Sequence, residues 1–192
     1  MPKLRCSGVA LAGGHSSRMG KNKARLVTPE GETLLDRTWR ILSEVANRGC
    51  WISGAAQYCA YPIISDSRPG GGPVFGISAS LEALRARTDV VIFVPIDMPS
   101  LEGDFLQLLV EACSIDGVEA AYFRDHPLPL VIRTHSRCVE AAHQTIESEQ
   151  PSIKSLLSRL RVSELDSTGN HRFLINVNTP DEWEVFMSGV EL

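Results

Sequence analysis

The sequence predicts a three-layer αβα domain built on a mostly parallel sheet, with helices on both sheet faces. Three observations carry this. Short β-branched runs alternate with segments of helical period, the strand read at residues 89–95 is apolar on successive positions from Val90 onward, and a glycine-rich turn closes the first strand. Alternation of this kind builds parallel βαβ units, and an unbroken apolar run marks a central strand covered on both faces. In such sheets a ligand lies beyond the carboxyl ends of the strands.

Residues 4–11 are the first strand. Residues 33–46 place Leu34, Leu35, Thr38, Trp39, Leu42, Val45 and Ala46 close to i, i+3, i+4, i+7 spacing, the stripe of an amphipathic helix. Residues 50–53 and 61–65 read as short strands. A loop punctuated by proline and glycine leads to a helix at 77–87, the central strand at 89–95 and a helix at 101–113. Strands at 118–123 and 130–133 are expected to pair around the turn Asp125-His126-Pro127, followed by helices at 136–148 and 152–160. A late strand at 173–176 leads into Thr179-Pro180-Asp181-Glu182, where a capping Thr, a Pro at the first helical position and two acids announce a last helix. No repeat or linker divides the chain, so residues 1–192 are expected to form one domain.

With 43% hydrophobic and 22% charged residues, the composition is globular. Lys plus Arg number 19 against 23 Asp plus Glu, a net charge of −4, so no overall positive field exists to hold nucleic acid or an anionic membrane. A polyanionic ligand must be gripped by a local site. Cys6, Cys50, Cys59, Cys113 and Cys138 are odd in number and contain no CxxC pair, which fits reduced thiols in the cytoplasm. The apolar runs at 8–12 and 90–96 are too short for a secretory signal core or a membrane helix.

The residues richest in chemistry run from Leu11 to Ala24, at the end of the first strand. Gly13 and Gly14 let backbone N–H groups approach an anion, and Arg18 and Lys23 supply charge. The stretch is neither a P-loop nor a dinucleotide fingerprint, and by composition alone it reads either as a phosphate cradle or as a glycine turn with surface bases. Asp97 follows the central strand and is expected at the carboxyl edge of the sheet, as a hard oxygen ligand for Mg²⁺ or as a helix cap. No HExxH or Cys/His cluster in the sequence offers a rival metal site. Asn176 and Asn178 bracket Val177 and by period-2 geometry share one face.

The stretch Leu11-Ala12-Gly13-Gly14-His15-Ser16-Ser17-Arg18-Met19-Gly20-Lys21-Asn22-Lys23 resembles the signature of nucleotidyltransferases of the sugar-nucleotide transferase fold. Its Gly13-Gly14 form is similar to the molybdenum cofactor guanylyltransferases. Gly72-Pro73-Val74-Phe75-Gly76, Pro95-Ile96-Asp97-Met98-Pro99, Arg124-Asp125-His126-Pro127 and Asn176-Val177-Asn178-Thr179-Pro180 extend the resemblance over residues 7–186. The resemblance implies a Rossmann-like nucleotidyltransferase fold. It also implies that GTP is bound by Leu11, Ala12, Gly13, Gly14, Lys23, Ser53, Asp66, Gly72 and Asp97, with Mg²⁺ on Asp97. Arg18, Lys23 and Asp97 are the implied catalytic groups, and Asn176, Asn178 and His126 the implied pterin contacts. Two positions depart from the family pattern: Asn22 stands where Asp is frequent, and Ser53 where Asn is frequent.

The implied reaction joins GMP from GTP to the terminal phosphate of molybdopterin or its molybdenum-loaded form and releases pyrophosphate, with molybdoenzymes or their chaperones as recipients. Two alternatives stand beside it. One is a cytidylyltransferase of the same cofactor, whose members tend to carry Ala at the Gly14 position. The other is a non-catalytic nucleotide or cofactor carrier.

Overall fold

The computed structural model describes residues 4–13, 22–54, 60–66, 68, 70–169 and 171–189. Seven strands form one sheet: β1 (Cys6–Leu11), β2 (Cys50–Ser53), β3 (Ile63–Ile64), β4 (Val90–Pro95), β5 (Ala120–Phe123), β6 (His126–Arg133) and β7 (Val162–Leu165). Their order is β3-β2-β1-β4-β6-β5-β7, and only β6 runs against its neighbours β4 and β5. Among the described residues six α-helices accompany it: α1 (Leu34–Val45), α2 (Pro73–Leu84), α3 (Gly103–Ser114), α4 (Ser136–Ile146), α5 (Ile153–Leu157) and α6 (Pro180–Met187). This is the mostly parallel, three-layer arrangement expected.

Alternation along the strands divides the core. On β4, Val90, Ile92 and Val94 pack with the α1 and α3 side, while Val91 and Phe93 pack with α2 and α4. All six β4 residues are buried, so this strand feeds both layers, as its unbroken apolar run requires. Register then builds the functional edge: Leu11 pairs with both Ser53 and Pro95, which brings the carboxyl ends of β1, β2 and β4 side by side. Cys6, Cys50, Cys113 and Cys138 are buried thiols.

Several boundaries differ from expectation. α2 begins at Pro73 rather than residue 77, because the fixed φ of proline suits the first helical position and Val74 and Phe75 supply the buried face. The β5–β6 turn contracts to Arg124 and Asp125, with Asp125 at φ 65°, a conformation aspartate tolerates. His126 and Pro127 therefore belong to β6; Pro127 and Pro129 sit where no ladder partner is assigned to them. β3 is two residues long. The strand expected at 173–176 does not form: residues His171–Leu174 are a 3-10 helix, and β7 occupies the place beside β5. The chain after Leu174 instead crosses the carboxyl edge, tied by the Val177 amide donating to the Asp97 carbonyl at 2.8 Å.

Candidate active site

A cavity of about 230 Å³ opens at the aligned strand ends. Leu11, Ala12, Gly13, Lys23, Ser53, Asp66, Gly72, Asp97 and Asn176 all line it, so most of the residues singled out in the sequence converge. Asn22, Pro73, Pro95, Ile96 and Leu128 complete the wall. Leu128 had no sequence signal, because it reaches this edge only through the antiparallel course of β6. Gly14 and Arg18 lie outside the described residues.

Gly13 and Ser53 face a common acid. The Ser53 hydroxyl donates to Asp66 Oδ1 at 2.6 Å, and a Cβ at Gly13 would stand 2.8 Å from Asp66 Oδ2. A Cβ at Gly76, on the first turns of α2, would fall 2.0 Å from Ser53 Oγ. The close approach of β1, β2 and α2 around Asp66 thus depends on glycine at both positions. Ser53 is 2% exposed, and its hydroxyl proton is committed to Asp66.

On the other side of the cavity, Lys23 sits in a 3-10 helix over Lys23–Arg25, whose start is capped by Asn22 accepting from the Ala24 amide at 3.1 Å. Asn22 therefore does its local work without a charge. Lys23 Nζ donates to Asp97 Oδ2 at 3.1 Å and to Asn178 Oδ1 at 2.8 Å, and the Lys23 and Asp97 side chains are 13% and 18% exposed. Asp97 Oδ1 is buried with no hydrogen-bond partner among the described residues. An orphaned buried carboxylate oxygen at a cavity wall demands an explanation, and a hard divalent cation that keeps several waters and binds through one carboxylate fits it.

Two expected substrate contacts are placed differently. Asn176 lines the cavity, but the Asn178 side chain accepts from Lys23, so the two amides do not form a parallel pair on a strand. His126 is absent from the residues lining this cavity. Its Nε2 lies 3.4 Å from His171 Nδ1, and burial, then the neighbouring His171, push its imidazole below the ordinary value.

Among the described residues one further group could hold a metal by geometry. Glu119, His135 and Cys138 bring donor atoms within 4.8 Å of one another at the opposite edge of the sheet. Glu119 is fully buried and already accepts from Arg137 Nε at 2.8 Å, Arg161 N at 2.8 Å and Arg161 Nη2 at 3.3 Å. A cation there would meet two guanidiniums, so the charges argue for a structural pin.

A doubly covered, mostly parallel sheet, with a lysine–aspartate pair and a glycine-walled cavity at its carboxyl edge, joins a match to the NTP transferase domain in placing the chain among the α/β nucleotidyltransferases. Within that class the chain belongs to the MobA-like NTP transferase domain family, which matches residues 8–165. It is 32% identical over 180 residues to a molybdenum cofactor guanylyltransferase of Xanthomonas euvesicatoria pv. vesicatoria, covering 92% of each chain. It is 29% identical over 192 residues to a probable molybdenum cofactor guanylyltransferase of Bacillus mycoides, covering 93% of this chain and 94% of the relative. The fold is shared with molybdopterin-guanine dinucleotide biosynthesis protein A from Archaeoglobus fulgidus, at a TM-score of 0.77, 20% identity, and coverage of 95% of this chain and 97% of that one. The protein is a nucleotidyltransferase. No described helix is long and apolar enough to cross a membrane.

Proposed function

We propose that this nucleotidyltransferase moves GMP from GTP to the terminal phosphate of molybdopterin, or of its molybdenum-loaded form, and releases pyrophosphate in the cytoplasm. The observation that carries this reading is the convergence of Lys23, Asp97 and the Gly13–Asp66 wall on one cavity, in a chain 32% identical to a molybdenum cofactor guanylyltransferase. A phosphate monoester is mostly dianionic at neutral pH, because its second pKa is about 6. Its oxygen attacks the α-phosphorus, the bond to the β-phosphate oxygen breaks, and no proton needs to be removed first. In-line positioning and neutralisation of charge carry the rate.

Lys23 and the Gly13 amide would hold the triphosphate, together with Gly14 and Arg18. Asp66, oriented by Ser53, would accept from the ribose or base. Asp97 would hold Mg²⁺, which when bound offsets charge on the phosphates and on the leaving pyrophosphate. Asn176, at the cavity wall, would meet the pterin, with His126 further out. Molybdoenzymes or their chaperones would take the product.

The test is pyrophosphate release from GTP, CTP, ATP and UTP with Mg²⁺, with and without molybdopterin. Release that requires both GTP and the pterin is expected. A preference for CTP would replace guanine by cytosine, and nucleotide binding without turnover would make the protein a carrier.

A further inference from the structure

We propose that Asn178 is a positioning residue for Lys23 rather than a substrate contact, and that Glu182 acts through it by fixing the backbone from which it projects. Asn178 Oδ1 accepts from Lys23 Nζ at 2.8 Å, closer than Asp97 Oδ2 at 3.1 Å. The Glu182 carboxylate receives the Asn178 amide at 2.6 Å and the Thr179 amide at 3.1 Å, while the Glu182 amide donates back to Thr179 Oγ1 at 3.2 Å. This capping box starts α6 and also clamps the residue that touches the lysine. Val177, 1% exposed, anchors the same segment, and its amide is tied to the Asp97 carbonyl. Lys23, Asp97 and the strap over residues 177–179 are thereby one unit.

The chemical advantage of an amide here follows from charge. Lysine carries a point charge on a flexible stem. A divalent cation on Asp97 would leave that carboxylate and its ion with a net positive charge that no longer attracts the ammonium, whereas the dipole of the neutral Asn178 amide still holds it. The ammonium then remains at the cavity wall when metal and phosphates arrive. This rests on the phosphate-binding role given to Lys23 above.

The experiment is a double-mutant cycle on Lys23→Ala and Asn178→Ala, read by calorimetric binding of GTP with Mg²⁺ and by the KM for GTP and for molybdopterin. We expect Asn178→Ala to weaken GTP binding about 10-fold, as loss of one charge-assisted hydrogen bond does, and to leave the KM for molybdopterin within about twofold. The double variant should bind no more weakly than Lys23→Ala alone. Glu182→Ala should reproduce part of the Asn178 loss, and Glu182→Gln, which keeps an acceptor oxygen, should restore most of it. If Asn178→Ala perturbs folding, the similarly shaped Asn178→Leu takes its place in the cycle.

Additive losses in the double variant overturn the inference and leave the proposed function standing. A raised KM for molybdopterin with unchanged GTP affinity also overturns it, and makes Asn178 a pterin contact. A non-additive binding cycle in a protein without turnover supports the inference and defeats the proposed reaction.

Discussion

Two carboxylates at opposite edges of the sheet, Glu119 fully buried and Asp97 with one oxygen buried, have been treated in opposite ways. At the amino end of β5, Glu119 has both oxygens engaged by Arg137 and Arg161. At the carboxyl end of β4, Asp97 shares one oxygen with Lys23 and leaves the other without a partner among the described residues. An unsatisfied buried oxygen costs stability, and such a cost is maintained where a ligand will supply the missing partner. A saturated carboxylate holds strands together, whereas an unsaturated one, on the function proposed above, is completed by a bound cation.

The sharpest way to break this contrast is to exchange the outcomes of mutation at the two sites. Asp97→Ala and Lys23→Ala should each lower turnover at least about 100-fold, because a single electrostatic group acting on a charged transition state commonly contributes that much. Circular dichroism should find both variants folded, and near-normal turnover from either would remove its assigned role. Glu119→Ala should do the reverse. Losing the charge-assisted bonds to two arginines should cost about 2 kcal/mol, a fall of about 4–8 °C in melting temperature, with turnover per folded molecule unchanged. A drop in kcat at Glu119 equal to that at Asp97 would erase the distinction.

The pH dependence sharpens it further. Burial pushes the Glu119 carboxyl up, but the Arg161 amide and the two guanidiniums outweigh that and leave it below its ordinary 4.5. A group with a depressed folded pKa contributes its stability fully above the unfolded value and loses it as pH falls through the folded one. Acid melting curves of Glu119→Gln should accordingly be flatter than wild type below about pH 4.5. The smallest effect is expected at Ser53: its Ala variant should raise the KM for nucleotide about 3- to 10-fold through a less restrained Asp66, with little change in kcat.

How much of this was legible follows from the range of each interaction. β4 was readable because both of its faces are buried, so its own residues carry the whole signal. β7 was not: Val162-Ser163-Glu164-Leu165 is an edge strand with no fully buried residue, and its position depends on β5. The convergence of Leu11, Ser53 and Pro95 follows from a parallel register, which the order of strand and helix predicts. Asn178 lay beyond that logic. Period-2 geometry gave it the face of Asn176, but the strand it presumed never forms, and its partner Lys23 is 155 residues away. Glu119 is a single acid before an apolar run, with nothing local to announce two distant arginines.

The strap over the carboxyl edge also sets an order of events in time. Every strand of the sheet has been synthesised once Leu165 leaves the ribosome, yet the groups that hold Lys23 and the Asp97 backbone, Val177 and Asn178, emerge later. A nascent chain can therefore assemble its sheet before it can hold its lysine in place, because the strap over residues 177–179 is made only after the last strand of that sheet.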